Sequence, residues 1–298
     1  MHTFFSKLLL FGEHTINLGS PALAIPLHLF SGHWVEENGA EKQQNLPAYA
    51  TYLEDLARQR VNIFSIDTQK MKSDLENGLH FHSSAPCGYG VGSSGILTAA
   101  VYDRYGINKL SHDFLNFHQL KKGFAQMESF FHGTSSGIDP LIAYLNEPLL
   151  ITNEGITTVS LPKYLHKGNT IFLIDTHVER KAEPLIQWFM HQITMPDVKN
   201  KLITQLVEFN KAAINAFLEG HWPKLMQSCH QISQFQFDEL SHLIPENYQD
   251  IWKKGLENDV YKLKICGAGG GGFIMGVTSD IANARTLLQH YDVVEVFP

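Results

Sequence analysis

The 298-residue chain carries 23 Lys and Arg against 30 Asp and Glu, a formal charge of −7, and shows no basic run, which argues against a nucleic acid partner. Cys87, Cys229 and Cys266 lie far apart without a C-x-x-C pair, so neither a disulfide framework nor a zinc site is expected, and the usage fits a reducing cytoplasm. No segment approaches a membrane span, the opening MHTFFSKLLLFGEH is broken by Glu13 and does not read as a signal peptide, and the length suits one large domain or two lobes.

In chain order, LLLFG and ALAIPLHLF read as two strands around the polar loop EHTINLGSP. A helix is predicted over Leu46 to Arg60, then a strand over GLHFHSSAP. Two helices follow, one from about Gly95 and one from Ser111 towards Phe131, with Ser111 placed to cap it. LLITN and TIFLIDT read as strands, and Lys181 to Leu240 as three helices. A further helix around Tyr248 to Asp259 leads into YKLKICGAGGGGFIMGV, two strands joined by glycines, and a helix from Ala282 to Gln289 and the strand VVEVF follow. Strands and helices alternate in blocks, which predicts an α+β architecture in two lobes. The divide falls in EGITTVSLPKYLHKGN, giving lobes 1–160 and 161–298.

The stretch SSAPCGYGVGSSGILTAA places glycines and serines between a strand and a helix, where backbone N–H groups and a helix N-terminus suit a phosphate. A Walker loop fails here because Ile96 and Leu97 follow Gly95 where a Lys is needed. Gly90, Gly92 and Gly95 fit G-x-G-x-x-G, but no buried strand follows the helix, so a dinucleotide fold is weakly supported. Another kinase-type glycine loop, and a plain turn without a ligand, both stay open on this segment alone.

Three other segments bear on the choice. KLLLFGEH sets Lys7, Glu13 and His14 at the two ends of a strand, where such residues are as often simply solvated. ESFFHGTSSGID frames a small-residue loop with Glu128, at a helix end, and Asp139, which suits a cation ligand and a general base, or an exposed helix end and an N-cap. KICGAGGGGF has five glycines among the six residues Gly267 to Gly272, an entropic cost that a plain turn does not require.

In this order and spacing the four segments resemble the GHMP kinase superfamily, and within it most closely the mevalonate kinase family. KLLLFGEHTINLGSPALAIPL is similar to that family's K-x-x-x-x-G-E-H opening, and PCGYGVGSSG to its phosphate loop. ESFFHGTSSGID is similar to E-x-x-x-H-G-x-x-S-G-x-D, and KICGAGGGG to the third glycine motif. The resemblance implies a ribosomal-protein-S5-like N-terminal lobe and a ferredoxin-like C-terminal lobe with added helices. It implies an ATP-dependent kinase that phosphorylates a small alcohol, mevalonate first, with Mg²⁺, in the cytoplasm and with room for a homodimer. By the same resemblance Gly88, Gly90, Val91, Gly92, Ser93, Ser94 and Gly95 hold the nucleotide phosphates, and Ser94 and Glu128 hold the Mg²⁺. Asp139 serves as base or orienting group and Lys7 stabilises the transferred charge, while Glu13, His14, Gly137, Gly269 and Gly270 lie at the acceptor.

The chain departs from the family pattern in four places. Phe4, Phe5 and Ser6 stand where Ala-Pro-Gly is usual, Gly95 where Ala is usual, Cys87 at a position more often small, and Ser135 where Pro is common. The Thr after GEH is followed by INLG, without the Asp-Tyr of the sugar kinases. A related phosphomevalonate or sugar kinase, or a non-catalytic nucleotide sensor, are the competing readings; a sensor is expected to lose one of Lys7, Ser94, Glu128 and Asp139, and all four are present. Among the 16 His, His80 and His82 share a strand face without a third ligand nearby, so no metal role is assigned to them.

Overall fold

The computed structural model describes residues 2–36, 45–162 and 168–297. In β1 (Phe4–Phe11), Phe4, Ser6, Leu8 and Leu10 are buried and alternate with Phe5, Lys7 and Leu9 on the other face, the period of a half-buried strand. It pairs antiparallel with β2 (Ala22–Glu36), Lys7 opposite Pro26. Then come α1 (Asn45–Arg58), β3 (Ser65–Ile66), α2 (Thr68–Glu76), β4 (Leu79–Ser83), α3 (Ser93–Tyr105) and β5 (Gly106–Ile107). They are followed by α4 (Phe117–His132), α5 (Ile138–Leu145), β6 (Leu149–Thr152) and β7 (Gly155–Thr158). The first sheet runs β1-β2-β6-β7, with β4 also pairing with β2.

A second antiparallel sheet uses only later residues: β8 (Thr170–Asp175), β9 (Tyr261–Ile265), β10 (Phe273–Thr278) and β11 (Asp292–Glu295), in the order β11-β8-β10-β9. Between β8 and β9 lie α6 (Ala182–Gln192), α7 (Pro196–Lys201), a π-helical turn over Leu202–Leu206, α8 (Val207–Leu218), α9 (Trp222–Glu239) and α10 (Gln249–Glu257). The helix α11 (Ile281–Leu287) links β10 to β11. Every residue of β9 and β10 is buried, as expected for strands covered on both faces. The architecture is α+β, as predicted. No helix among the described residues is long and apolar enough to cross a membrane.

One aromatic cluster fixes the helices that carry the candidate site. Tyr102 of α3 meets Phe64 at 4.2 Å and both Phe124 of α4 and Tyr144 of α5 at 5.2 Å between ring centroids. Such pairs contribute about 0.5–1.5 kcal/mol each beyond their buried area. The last turn of α3, the middle of α4 and the end of α5 are thereby held together.

The structure differs from the sequence expectations at several points. Lys7 lies in the middle of β1, not at its end. The helix expected from Ser111 starts at Phe117, and the Ser111 hydroxyl donates to Asp113 at 2.6 Å instead of capping it. Glu128 lies inside α4, one turn before its end at His132. The helices α2 and α5 and the short strands β3, β5 and β7 were not anticipated. Within the expected divide, Gly155–Thr158 belongs to the first sheet, and residues 163–167 lie outside the described residues.

Candidate active site

Four elements, β1, the glycine loop, α3 and α5, converge at Lys7 in the middle of β1. The Lys7 backbone amide donates to the Val91 carbonyl at 3.0 Å, which ties the glycine loop to the strand. The loop ends at Gly92, the left-handed N-cap of α3 (φ 79°), so the helix N-terminus and its exposed amides face the same space. A Cβ on Gly92 would stand 3.2 Å from Asp139 Oδ2 and 3.3 Å from Lys7 Cγ. Asp139 sits in the first turn of α5, where a carboxylate is favoured by the helix dipole, and its Oδ1 lies 3.2 Å from Lys7 Nζ. Gly95 explains one family departure: a Cβ there would meet the Asp139 carbonyl carbon and the Pro140 nitrogen at 2.8 Å each. The close approach of α3 to α5 in this chain needs glycine.

A second group lies one helical turn away. Ser94 Oγ donates to Glu128 Oε1 at 2.8 Å and lies 2.9 Å from His132 Nε2. Ser135 Oγ donates to Glu128 Oε2 at 2.5 Å and accepts from the Gly137 amide at 2.9 Å. Glu128 is buried, and that burial, together with the Asp139 charge, raises its carboxyl to about 7. Two hard oxygens, Ser94 Oγ and Glu128, converge beside a second carboxylate, a set suited to a small divalent cation. Among the described residues, no group of three or more His, Cys, Asp or Glu is placed to hold a metal.

The sequence reading missed Arg180. The segment after β8 is stitched to the third glycine turn: Thr176 N and Oγ1 donate to the Gly272 carbonyl at 3.0 and 2.7 Å, and Gly272 N donates to Val178 O at 2.7 Å. This places Arg180 between the two glycine loops. Its Nη1 donates to Cys266 O at 2.7 Å, Nη2 lies 2.5 Å from the Cβ position of Gly267, and the same guanidinium presses against Gly90. Only glycine at both positions admits it. An ionisable residue shortly after a largely apolar strand, in THVER, was the available signal. His132 and Ser135 were also missed as partners of the Ser94–Glu128 pair.

Burial, the largest single influence, lowers the affinity of Lys7 for its proton, but the charge and hydrogen bond of Asp139 together with Cys266 outweigh it and hold the ammonium above its ordinary value. Burial also lowers Arg180, against the pull of nearby Cys266, Glu13 and Asp139. His14, in a left-handed conformation (φ 65°), packs its ring 4.8 Å from Phe189 of α6. Burial and the Lys264 and Arg180 charges push it down to about 4, so it is neutral at pH 7.

The residues expected at the acceptor have the following surroundings. The Glu13 carboxylate, expected beside the acceptor, is taken up by Lys264 Nζ at 2.7 Å in the interior. Gly269 packs on the Leu243 carbonyl, and Gly270 donates to that carbonyl at 2.7 Å with its other side against Leu185. Gly137 caps α5, and Ser93 opens α3. A cavity of about 810 Å³ lined by Trp222, Met226, His230 and Lys262 lies at the opposite end of the second sheet and includes none of these residues.

Comparison with known proteins bears on the fold. Residues 213–291 match the family described as GHMP kinases C terminal. Mevalonate kinase from Thermococcus gammatolerans is 27% identical over 159 residues, 46% of this chain and 47% of that protein, so the match spans about half of the relative's length. Among solved structures, L. major mevalonate kinase in complex with R-mevalonate superposes with a TM-score of 0.64 at 13% identity, over 96% of this chain and 89% of that one. Streptococcus pneumoniae phosphomevalonate kinase in complex with phosphomevalonate and AMPPNP gives 0.66 at 15% identity, over 99% of both chains. Residues 213–291 are thus similar to the GHMP kinase C-terminal family, and the chain has the fold of these mevalonate and phosphomevalonate kinases.

Proposed function

We propose that this protein is an ATP-dependent kinase that transfers the γ-phosphoryl group to the hydroxyl of a small alcohol, with mevalonate the first candidate. The observation that carries the reading is the meeting of the Lys7–Asp139 pair, 3.2 Å apart, with the end of the glycine loop at the N-terminus of α3. Phosphoryl transfer asks a protein for positioning and charge stabilisation more than for covalent chemistry, and this site offers both.

In this reading the amides from Gly88 to Gly95 cradle the phosphates, aided by the positive end of α3. Asp139 orients the acceptor hydroxyl and takes its proton as the acceptor oxygen bonds to the γ-phosphorus. The bond to the bridging oxygen breaks and ADP leaves. Lys7 and Arg180 face the charge that builds on the transferred group, Lys7 from the strand side and Arg180 from between the glycine loops. Neutral His14 offers the acceptor a hydrogen-bonding group without a competing charge, and Phe189 and Leu185 cover the cleft against water. Ser94 and Glu128 fit Mg²⁺, which when bound would neutralise phosphate charge; the buried Glu128 carboxylate beside Asp139 gains most from such a cation.

The test is ADP release from Mg-ATP by the purified protein with mevalonate, phosphomevalonate, galactose and homoserine supplied separately. Saturable turnover with mevalonate is expected. Turnover with another of the four keeps the kinase and moves the substrate, whereas silence with all four in a protein that binds ATP reduces the function to nucleotide binding.

A further inference from the structure

We propose that the buried Glu13–Lys264 pair is a latch that positions the phosphoryl-transfer site: Glu13, in the loop after β1, holds the third glycine turn, and through it Arg180, against the first sheet. The inference rests on the kinase reading above.

Glu13, in the loop after β1 of the first sheet, and Lys264, in β9 of the second, are 251 positions apart, yet their charged atoms meet at 2.7 Å with side chains 2% and 3% exposed. Lys264 also donates to Ile265 O at 2.9 Å and lies 5.9 Å from the centre of the Phe11 ring. The Gly267 amide faces the same Glu13 carboxylate and favours its charged form, as Lys264 does, against a burial penalty that is larger than either. Gly267 in turn abuts Arg180, whose guanidinium also feels the Glu13 charge. Lys264, through its charge, helps keep His14 neutral. One carboxylate therefore reaches the turn, the guanidinium behind it and, through its partner, the imidazole at the cleft.

Stability alone does not call for this arrangement. A buried ion pair is often replaceable by apolar side chains of similar volume without loss, whereas removing one partner strands the other charge. What apolar residues cannot supply is an acceptor for the Gly267 amide and a fixed negative charge behind Arg180. Glu13 touches neither acceptor nor phosphate in this account; it acts through the turn.

The experiment compares Glu13→Gln with the double variant Glu13→Met/Lys264→Met, reading melting temperature, steady-state ADP formation, and hydrogen exchange of residues 266–272. Glu13→Gln is expected to lower both melting temperature and kcat, because Lys264 loses its buried counter-charge. The double variant is expected to regain the parental melting temperature while kcat stays down by about 30-fold or more, since sub-ångström to ångström misplacement suffices for that. Its 266–272 amides are expected to exchange about tenfold faster than in the parent. Recovery of melting temperature, kcat and parental exchange together would overturn the latch and leave a purely structural pair. Should the double variant not fold, Glu13→Asp decides: near-parental melting with kcat down about tenfold supports the latch, and parental kcat refutes it. A parent that forms no ADP defeats the kinase reading, while exchange at 266–272 still decides the latch.

Discussion

Replacing Glu128 with Gln should make the metal-free protein more stable above neutral pH and nearly abolish its activity. Burial and the neighbouring Asp139 lift the Glu128 carboxyl from 4.5 to about 7 in the folded state. A carboxyl with a raised folded pKa is most favourable to folding below its unfolded pKa, and that advantage is lost as pH rises through the folded one. The penalty therefore grows between about pH 4.5 and pH 7 and is complete by pH 8.5. A shift of this size, from 4.5 to about 7, corresponds to about 3 kcal/mol at about 1.4 kcal/mol per unit. The Gln amide accepts less well from Ser94 and Ser135, which leaves a net gain of about 1–3 kcal/mol at pH 8.5. Thermal unfolding in EDTA at pH 5 and pH 8.5 reads this directly. The variant should melt about 2–6 °C above the parent at pH 8.5, and the gap should nearly close at pH 5. With Mg²⁺ and ATP present, turnover by the variant should fall about 100-fold or more, because a stabilising change at a functional site removes the group that the site needs. A variant less stable than the parent at pH 8.5, or a gap that does not change with pH, would refute the reasoning.

Three further outcomes follow from the geometry. Asp139→Asn and Lys7→Met should each lower kcat by about 100-fold or more while changing the Kd for a non-hydrolysable ATP analogue only a few-fold, as measured by calorimetry. Gly95→Ala, although it restores the residue usual in the family, should destabilise by about 1–3 kcal/mol and reduce kcat, because its Cβ pushes on the backbone at Asp139; denaturant titration checks the first and ADP release the second. Arg180→Ala should weaken analogue binding about tenfold, with Arg180→Lys recovering only part of it, since a single ammonium cannot span both glycine loops.

Much of the site was legible because glycine and serine punctuation survives without an alignment. The first glycine loop, the ESFFHGTSSGID segment and the third glycine turn were all located by runs that ordinary turns do not need, and the structure brings the first two together at Asp139 and Glu128. The helix α5 escaped notice because it is capped by Gly137 and carries Pro140 in its first turn, residues that read as a loop until the surrounding contacts are known. The helix α2 buries only Thr68 and Met71, too little apolar periodicity to stand out. Ser111 had the right residue type for a cap, but nearby Asp113 and Asn116 compete for its hydroxyl. Glu13 and Arg180 show the larger limit: each is explained by a partner more than 80 positions away, Lys264 and Cys266, and no local pattern encodes such a pairing.

The most direct test of the central claim is transfer of radiolabel from γ-labelled ATP to mevalonate by the parent and by Asp139→Asn, side by side. Labelled phosphomevalonate should form with the parent, depend on added Mg²⁺, and fall to near background with the variant. Equal transfer by both proteins, or no label on mevalonate or any other alcohol while ATP remains bound, would contradict the assignment of phosphoryl transfer to this site.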